Sequence, residues 1–168
     1  MEKKIARCIL TTQCNLKCDY CCNRIPSIQQ SFKFTTMDQF IEISKNYTDI
    51  NISGGEPMLA PEKLRDLVEH IHHKSDARIW LYTNGTICPN IGRIGDLPFD
   101  GVNIGIHDNF GVIKKNVESW NGCANIKVHV QRGHLTSEID NFCMYHDIPI
   151  KLWELDNCNN TQEDRFII

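Results

Sequence analysis

The sequence has no long hydrophobic run and no surplus of basic residues. No stretch approaches the roughly 18 consecutive apolar residues of a membrane-spanning helix, so we expect no membrane association. The 18 Lys and Arg are outnumbered by 21 Asp and Glu, and a formal net charge of −3 argues against a nucleic-acid partner. The apolar stretch near the start is too short and too interrupted for a signal peptide, so we expect a cytoplasmic protein.

The sequence also has no linker, low-complexity tract or internal repeat. At 168 residues, of which 41% are hydrophobic, the chain has the size and composition of one globular domain. A chain of this length buries roughly two thirds of its unfolded surface. A single domain over residues 1–168 is therefore predicted.

Cysteine, by contrast, is abundant, with nine residues. In a reducing compartment we expect them as metal ligands, free thiols and buried apolar fillers rather than as a disulfide framework. Cys8 is expected in the core, and Cys22 beside a metal site as a bystander. The scattered cysteines further along the chain show no tight metal-ligand spacing.

Short β-rich runs alternate with helical patterns along the chain. This alternation favours a parallel sheet with helices on its outer face. Six units of about 25 residues nearly fill the chain, whereas a closed eight-unit barrel needs about 250 residues. The predicted fold class is therefore α/β, a partial open (β/α)6 TIM-like barrel with a single parallel sheet. The predicted strands are 5–12, 49–53, 78–83, 101–106, 126–131 and 148–153. The predicted helices are 36–47, 61–73, 109–120 and 137–146, and 89–98 is predicted as a loop or single turn.

The run CNLKCDYC places Cys14, Cys18 and Cys21 within eight residues, directly after the first predicted strand. A cubane 4Fe-4S cluster held entirely by protein needs four thiolates. Three closely spaced cysteines without a near fourth suggest a cluster with one iron left open for a small molecule. A structural zinc site, with Cys8 or Cys22 as the fourth ligand, is the alternative.

A second motif, Gly54-Gly55-Glu56-Pro57, follows the second predicted strand. Paired glycines allow positive φ angles and let peptide groups approach a ligand closely, although any tight turn could use such a pair. Ligands of α/β proteins bind at the carboxyl ends of the strands. Both motifs fall at such ends.

Together the two motifs resemble those of radical S-adenosylmethionine (SAM) enzymes, and the resemblance extends in order and spacing through all six predicted strands. It implies that Cys14, Cys18 and Cys21 hold a 4Fe-4S cluster whose open iron is chelated by the amino and carboxylate groups of SAM. It also implies reductive cleavage of SAM to a 5'-deoxyadenosyl radical, with a low-potential donor such as flavodoxin or ferredoxin. No catalytic triad is needed. By the same resemblance, the residues along SAM are Gly54, Gly55 and Glu56 at the methionine amino group and Tyr20 near the adenine.

Residues at the ends of the later predicted strands are further candidates for contacts with SAM or substrate. A histidine there would lie at the level where the family contacts the ribose, and an arginine could pair with a carboxylate. Each also has a structural alternative, namely a turn, a helix entry, a solvated position or packing at the barrel end. These candidates are Thr83 and Asn84, His107 and Asp108, Gln131 and Arg132, and Trp153 and Glu154.

Two kinds of radical SAM enzyme suit so short a chain. One acts on a small-molecule or peptide substrate, and the other is an activase that installs a glycyl radical on a partner protein. The stretch 83–86, TNGT, favours the first kind modestly by resemblance. Little sequence follows the sixth predicted strand, so we expect a homodimer, a partner protein or a large substrate to shield the radical.

Overall fold

Eight parallel strands form one sheet in the order β2-β8-β1-β3-β4-β5-β6-β7. The computed structural model describes residues 4–107, 110–120, 125–153 and 163–168. The strands are β1 (Ile5–Ile9), β2 (Phe32–Phe34), β3 (Asp49–Ser53), β4 (Arg78–Thr83), β5 (Gly101–Ile106), β6 (Ile126–Gln131), β7 (Ile150–Trp153) and β8 (Glu163–Ile167).

In the described ranges, five α-helices lie between strands: α1 (Pro26–Gln29), α2 (Met37–Ser44), α3 (Pro61–Lys74), α4 (Phe110–Val117) and α5 (Ser137–Tyr145). A capping box starts α2, because Thr36 accepts from the Gln39 amide while the Gln39 side chain accepts from the Thr36 amide. Among the described residues, no helix is long and apolar enough to cross a membrane.

The hydrophobic core lies between one face of the sheet and helices α2 to α5. Successive strand residues point to opposite faces, so every second residue of a strand enters this core. The apolar residues of α3 pack into this core as well, and so does the fully buried ring of Phe40. Core residues from the strands include Cys8, Ile50, Ile52, Leu81, Ile104, Val128 and Phe166.

The opposite face of the sheet, here called the inner face, is largely polar. Parallel sheets are usually buried on both faces and are then apolar on both. The inner face departs from that pattern because its central strands carry charged and amide side chains, which suits a surface that binds a polar ligand. Its polar and aromatic members are Arg7, Asp49, Asn51, Ser53, Arg78, Trp80, Tyr82, Asn103, Lys127, His129, Gln131, Lys151, Trp153, Glu163 and Arg165.

All six predicted strands are present, and the α/β partial-barrel class is confirmed. The first strand ends at Ile9 rather than at residue 12, and the 89–98 stretch contains only a short 3-10 segment, Ile91–Asp96. The structure adds β2 and β8, which the sequence analysis missed. Strand β2 has only three residues, and β8 opens with charged residues that carry no apolar alternation.

On the inner face, the Trp80 ring packs directly against Gly101. A Cβ atom on Gly101 would lie 2.4 and 2.7 Å from two Trp80 ring carbons and 2.8 Å from the Asn125 carbonyl oxygen. We therefore expect Gly101→Ala to lower the free energy of unfolding by about 1–3 kcal/mol, measured by chemical denaturation.

The matched control is Gly111→Ala in α4, where an added Cβ meets nothing within 4 Å. This variant should be neutral or more stable by up to about 1 kcal/mol, because alanine favours a helix over glycine. Equal unfolding free energies for Gly101→Ala and the parent would contradict the packing described.

Candidate active site

The loop between β1 and α1, residues 10–25, is here called the cysteine loop. It brings the three motif cysteines together at the carboxyl end of the sheet. Cys14, Cys18 and Cys21 are free thiols, and all three are at least partly accessible. Partial burial, together with the neighbouring sulfurs of Cys21 and Cys14, raises the pKa of Cys18. The Leu16 amide donates to Cys14 Sγ over 3.4 Å, a type of contact that helps to set the potential of iron–sulfur centres.

This donor set fits a cluster better than a single metal ion. A zinc site needs its ligands about 2.0–2.3 Å from one point, and no three His, Cys, Asp or Glu side chains in the described part of the chain are so placed. In a cubane each thiolate binds a different iron. Cys8, the alternative zinc ligand, is fully buried in the core, and burial raises its pKa. Cys22 is disulfide-bonded, contrary to the expectation that the cysteines are reduced.

The glycine motif after β3 docks directly onto the chain that enters the cysteine loop. The Gly55 amide donates to the Thr11 carbonyl and the Glu56 amide to the Gln13 carbonyl, each over 2.7 Å. A Cβ on Gly54, whose φ is +151°, would lie 2.4 Å from the Thr11 oxygen. A Cβ on Gly55 would lie 1.9 Å from the Gln13 oxygen. The two glycines are thus required by a backbone contact within the protein itself.

A side chain of the cysteine loop also reaches the glycine motif. The side-chain amide of Asn23, its Nδ2, donates to the Gly54 carbonyl. The two sequence motifs therefore form one hydrogen-bonded unit.

Glu56 is fully buried, and its carboxylate ties β3 to the end of β4. It accepts from the Thr83 hydroxyl and the Asn84 amide, each over 2.7 Å, and from the Met58 amide over 3.0 Å. Burial raises the pKa of Glu56, although these three hydrogen bonds oppose the shift. Because Thr83 is engaged in this way and also accepts from the Gly85 amide, its contacts favour the turn role over a ligand role.

Asn84 connects the end of β4 to the cysteine loop. Its side-chain amide donates to Asn15 Oδ1 over 2.9 Å and lies 4.0 Å from Cys14 Sγ. Its oxygen accepts from the Thr86 amide and hydroxyl over 3.0 and 2.6 Å. Asn84 therefore helps to position the first cysteine of the motif.

A cluster of rings lies beside the cysteine loop. The Tyr20 hydroxyl is 2.8 Å from His107 Nδ1, and the two rings stack with centroids 5.5 Å apart. The rings of Trp153 and His134 each lie 6.0 Å from that of Tyr20. The structure thus brings three predicted residues together. It adds His134, which the sequence analysis missed because this residue lies in a turn beyond the strand end.

Of the remaining predicted residues, Arg132 lies beside Trp153. Arg132 is exposed in the turn after β6, and its backbone amide donates to the Trp153 carbonyl over 2.8 Å. Asp108 and Glu154, together with Cys123 and Cys158, lie outside the described residues.

Comparison with known proteins decides which family shares this arrangement. A family model described as a 4Fe-4S single cluster domain matches residues 5–129, which include both motifs. The chain belongs to the radical SAM family. Members of this family are enzymes that use a 4Fe-4S cluster and SAM.

Three curated relatives show the breadth of this radical SAM group. The 7-carboxy-7-deazaguanine synthase of Methanothermobacter thermautotrophicus is 29% identical, over 77% of this chain and 56% of the relative. A probable GTP 3',8-cyclase of Methanococcus maripaludis is 27% identical, over 78% and 45%. An S-adenosylmethionine-dependent nucleotide dehydratase of Fibrobacter sp. is 30% identical, over 73% and 39%. The chain spans about half the length of these relatives.

Solved radical SAM structures share the fold at low identity. The structure of anSMEcpe with bound AdoMet and a Cp18Cys peptide has a TM-score of 0.63 at 16% identity, covering 90% of this chain and 51% of that one. Streptococcus suis SuiB bound to S-adenosylmethionine has a TM-score of 0.64 at 13% identity, covering 99% and 47%. At such identities the likeness shows the fold alone.

The docking of the two motifs predicts how Gly55→Ala behaves. An added methyl group meets the Gln13 carbonyl oxygen, so the cysteine loop must shift away from β3. We expect a several-fold lower iron content per chain after anaerobic reconstitution, measured by iron assay and visible absorbance. Gly111→Ala is the control and should take up iron like the parent. Full iron uptake by Gly55→Ala would show that the loop does not need this contact.

Proposed function

We propose that this radical SAM enzyme acts on a small-molecule or peptide substrate bound at the inner face of its sheet, beside the cysteine loop. One observation carries the proposal: the loop with the three thiols is docked on the glycine motif at the carboxyl end of a polar sheet face. The 5'-deoxyadenosyl radical that a reduced cluster and SAM supply would abstract hydrogen from a substrate held on that face.

Each part of the site has a proposed role toward these cofactors. Cys14, Cys18 and Cys21 would bind three irons and leave the fourth to the amino and carboxylate groups of SAM. The Gly54 carbonyl already accepts from Asn23 and the Glu56 carbonyl from the Leu59 amide. The Gly55 carbonyl has no such donor among the described residues, which supports it as an acceptor for the SAM amino group.

The ring cluster is proposed to hold the adenosine end of SAM. Tyr20, His107 and Trp153 present aromatic faces beside the cysteine loop, and stacking on such faces suits a purine. Arg132, exposed in the turn next to Trp153, is proposed to pair with a carboxylate of SAM or substrate.

Similarity favours a small molecule over a peptide. Curated relatives that match most of this chain are named for GTP cyclisation, nucleotide dehydration and deazaguanine synthesis, whereas the peptide-bound neighbour resembles it at fold level only. A low-potential donor such as flavodoxin or ferredoxin is proposed to reduce the cluster. Shielding of the inner face by a second copy of the chain is also part of the proposal.

The proposal is tested by SAM cleavage. Protein reconstituted without oxygen and reduced with dithionite should convert SAM to 5'-deoxyadenosine and methionine, measured by liquid chromatography. Cys18→Ala should lose both the iron and this cleavage, because only two thiolates of the motif remain.

The matched control is Cys88→Ala, which removes a partly exposed free thiol outside the cysteine loop. It should keep iron and cleavage at the parental level. Parental cleavage by Cys18→Ala, or no cleavage by the reduced parent protein, would refute the proposed function.

A further inference from the structure

The inner face is rich in cations although the chain as a whole is acidic. The formal net charge of the chain is −3, yet the described strands place five basic side chains on this face. Only two carboxylates, those of Asp49 and Glu163, face them. The basic members are Arg7, Arg78, Lys127, Lys151 and Arg165.

The two carboxylates are already paired. Glu163 accepts from Arg7 Nε over 2.7 Å and from a terminal nitrogen over 3.1 Å, in a forked arrangement. Asp49 lies 2.8 Å from the Arg78 guanidinium and accepts from Trp80 Nε1 over 3.0 Å. Their negative charge is therefore matched by arginines, so the described strands offer the lysines of this face no unpaired carboxylate.

Lys127 and Lys151 are those lysines, and they lie on the neighbouring strands β6 and β7. Lys151 is directly opposite His129 in the register of the two strands, and Lys127 is two residues before His129 on the same face. The Lys127 ammonium sits 5.1 Å from the centroid of the Trp80 ring. Within the described ranges, neither lysine forms an ion pair with a carboxylate. Arg165 is remote from them, on β8, where it donates to Ser31.

His129, between the two lysines, is held neutral. Burial is the main cause that lowers its pKa, to about 4, and the positive charges of Lys151, Lys127 and Arg7 lower it further. Its Nε2 lies 2.9 Å from Asn103 Oδ1. Both lysines thus place positive charge near the same imidazole of the inner face, and this charge attracts an anion.

Polar atoms without a partner lie nearer to the cysteine loop on the same face. Gln131 Oε1 and Ser53 Oγ are buried and have no hydrogen-bond partner among the described residues. Gln131 follows His129 on β6, and Ser53 ends β3 just before the glycine motif. Buried polar atoms in proteins are normally satisfied, so these two point to a polar ligand that extends from the lysines toward the loop.

We propose that the substrate carries a phosphate or carboxylate group, which binds on the inner face between Lys127 and Lys151. This inference rests on the proposed function and narrows the substrate to an anionic, polar molecule. Trp153, which is opposite Gln131 in the register of β6 and β7 and whose ring centroid lies 6.0 Å from that of Tyr20, connects this part of the inner face to the ring cluster.

Calorimetric titration with pyrophosphate and with succinate tests the inference, using anaerobically reconstituted protein with and without SAM. The parent should bind at least one of these anions. Lys127→Ala and Lys151→Ala should each weaken that binding about tenfold, the size expected for one charge-assisted hydrogen bond. Tighter binding of pyrophosphate would assign a phosphate to the substrate, and tighter binding of succinate a carboxylate.

Two comparisons separate loss of the ammonium groups from loss of structure. Lys127→Arg and Lys151→Arg keep the charge and should retain most of the affinity. Lys115→Ala removes an exposed lysine of α4, away from the inner face, and should bind like the parent. Failure of both anions to bind the parent, or parental affinity in both alanine variants, would overturn the inference. Cleavage of SAM by the parent is measured separately, so its failure counts against the proposed function alone.

Discussion

The cysteine loop depends on two backbone hydrogen bonds between the Gly54–Glu56 segment and the residues Thr11 and Gln13. These bonds are short, and they exist only because the glycines carry no Cβ. They place the three thiols at the carboxyl end of the central strands, next to the ring cluster and above the polar inner face. Together with the hydrogen bonds that Asn15, Tyr20 and Asn23 make to the rest of the site, they fix the position of the loop after β1.

Much of the fold could be predicted because its signals are local. Short β-rich runs marked six of the eight strands, and helical patterns marked four of the five described helices. Strand β8 could not be found in this way. It is defined by its pairing with β1, whose residues lie more than 150 positions away in the sequence. The three cysteines were recognisable from their specific spacing, and the glycine pair, which any tight turn could use, from its place at a strand end in the same chain.

The roles within the site were harder to predict, because side-chain partners are set by tertiary contacts. The glycines were interpreted as an approach to a ligand, and the structure shows that they first accommodate the protein's own backbone. Thr83 was a ligand candidate, yet its hydroxyl serves Glu56. Likewise, the pairing of Arg7 with Glu163, one of the two carboxylates on the described part of the inner face, appears only once β8 joins the sheet.

The central claim is that three thiolates hold a cluster whose fourth iron binds SAM directly. The most direct measurement is electron-nuclear double resonance on the reduced protein mixed with SAM that carries a nitrogen-15 label in its amino group. A hyperfine coupling between the cluster and this nitrogen is the result that the structure predicts. A reduced cluster of full iron content that shows no such coupling at saturating SAM would contradict the claim.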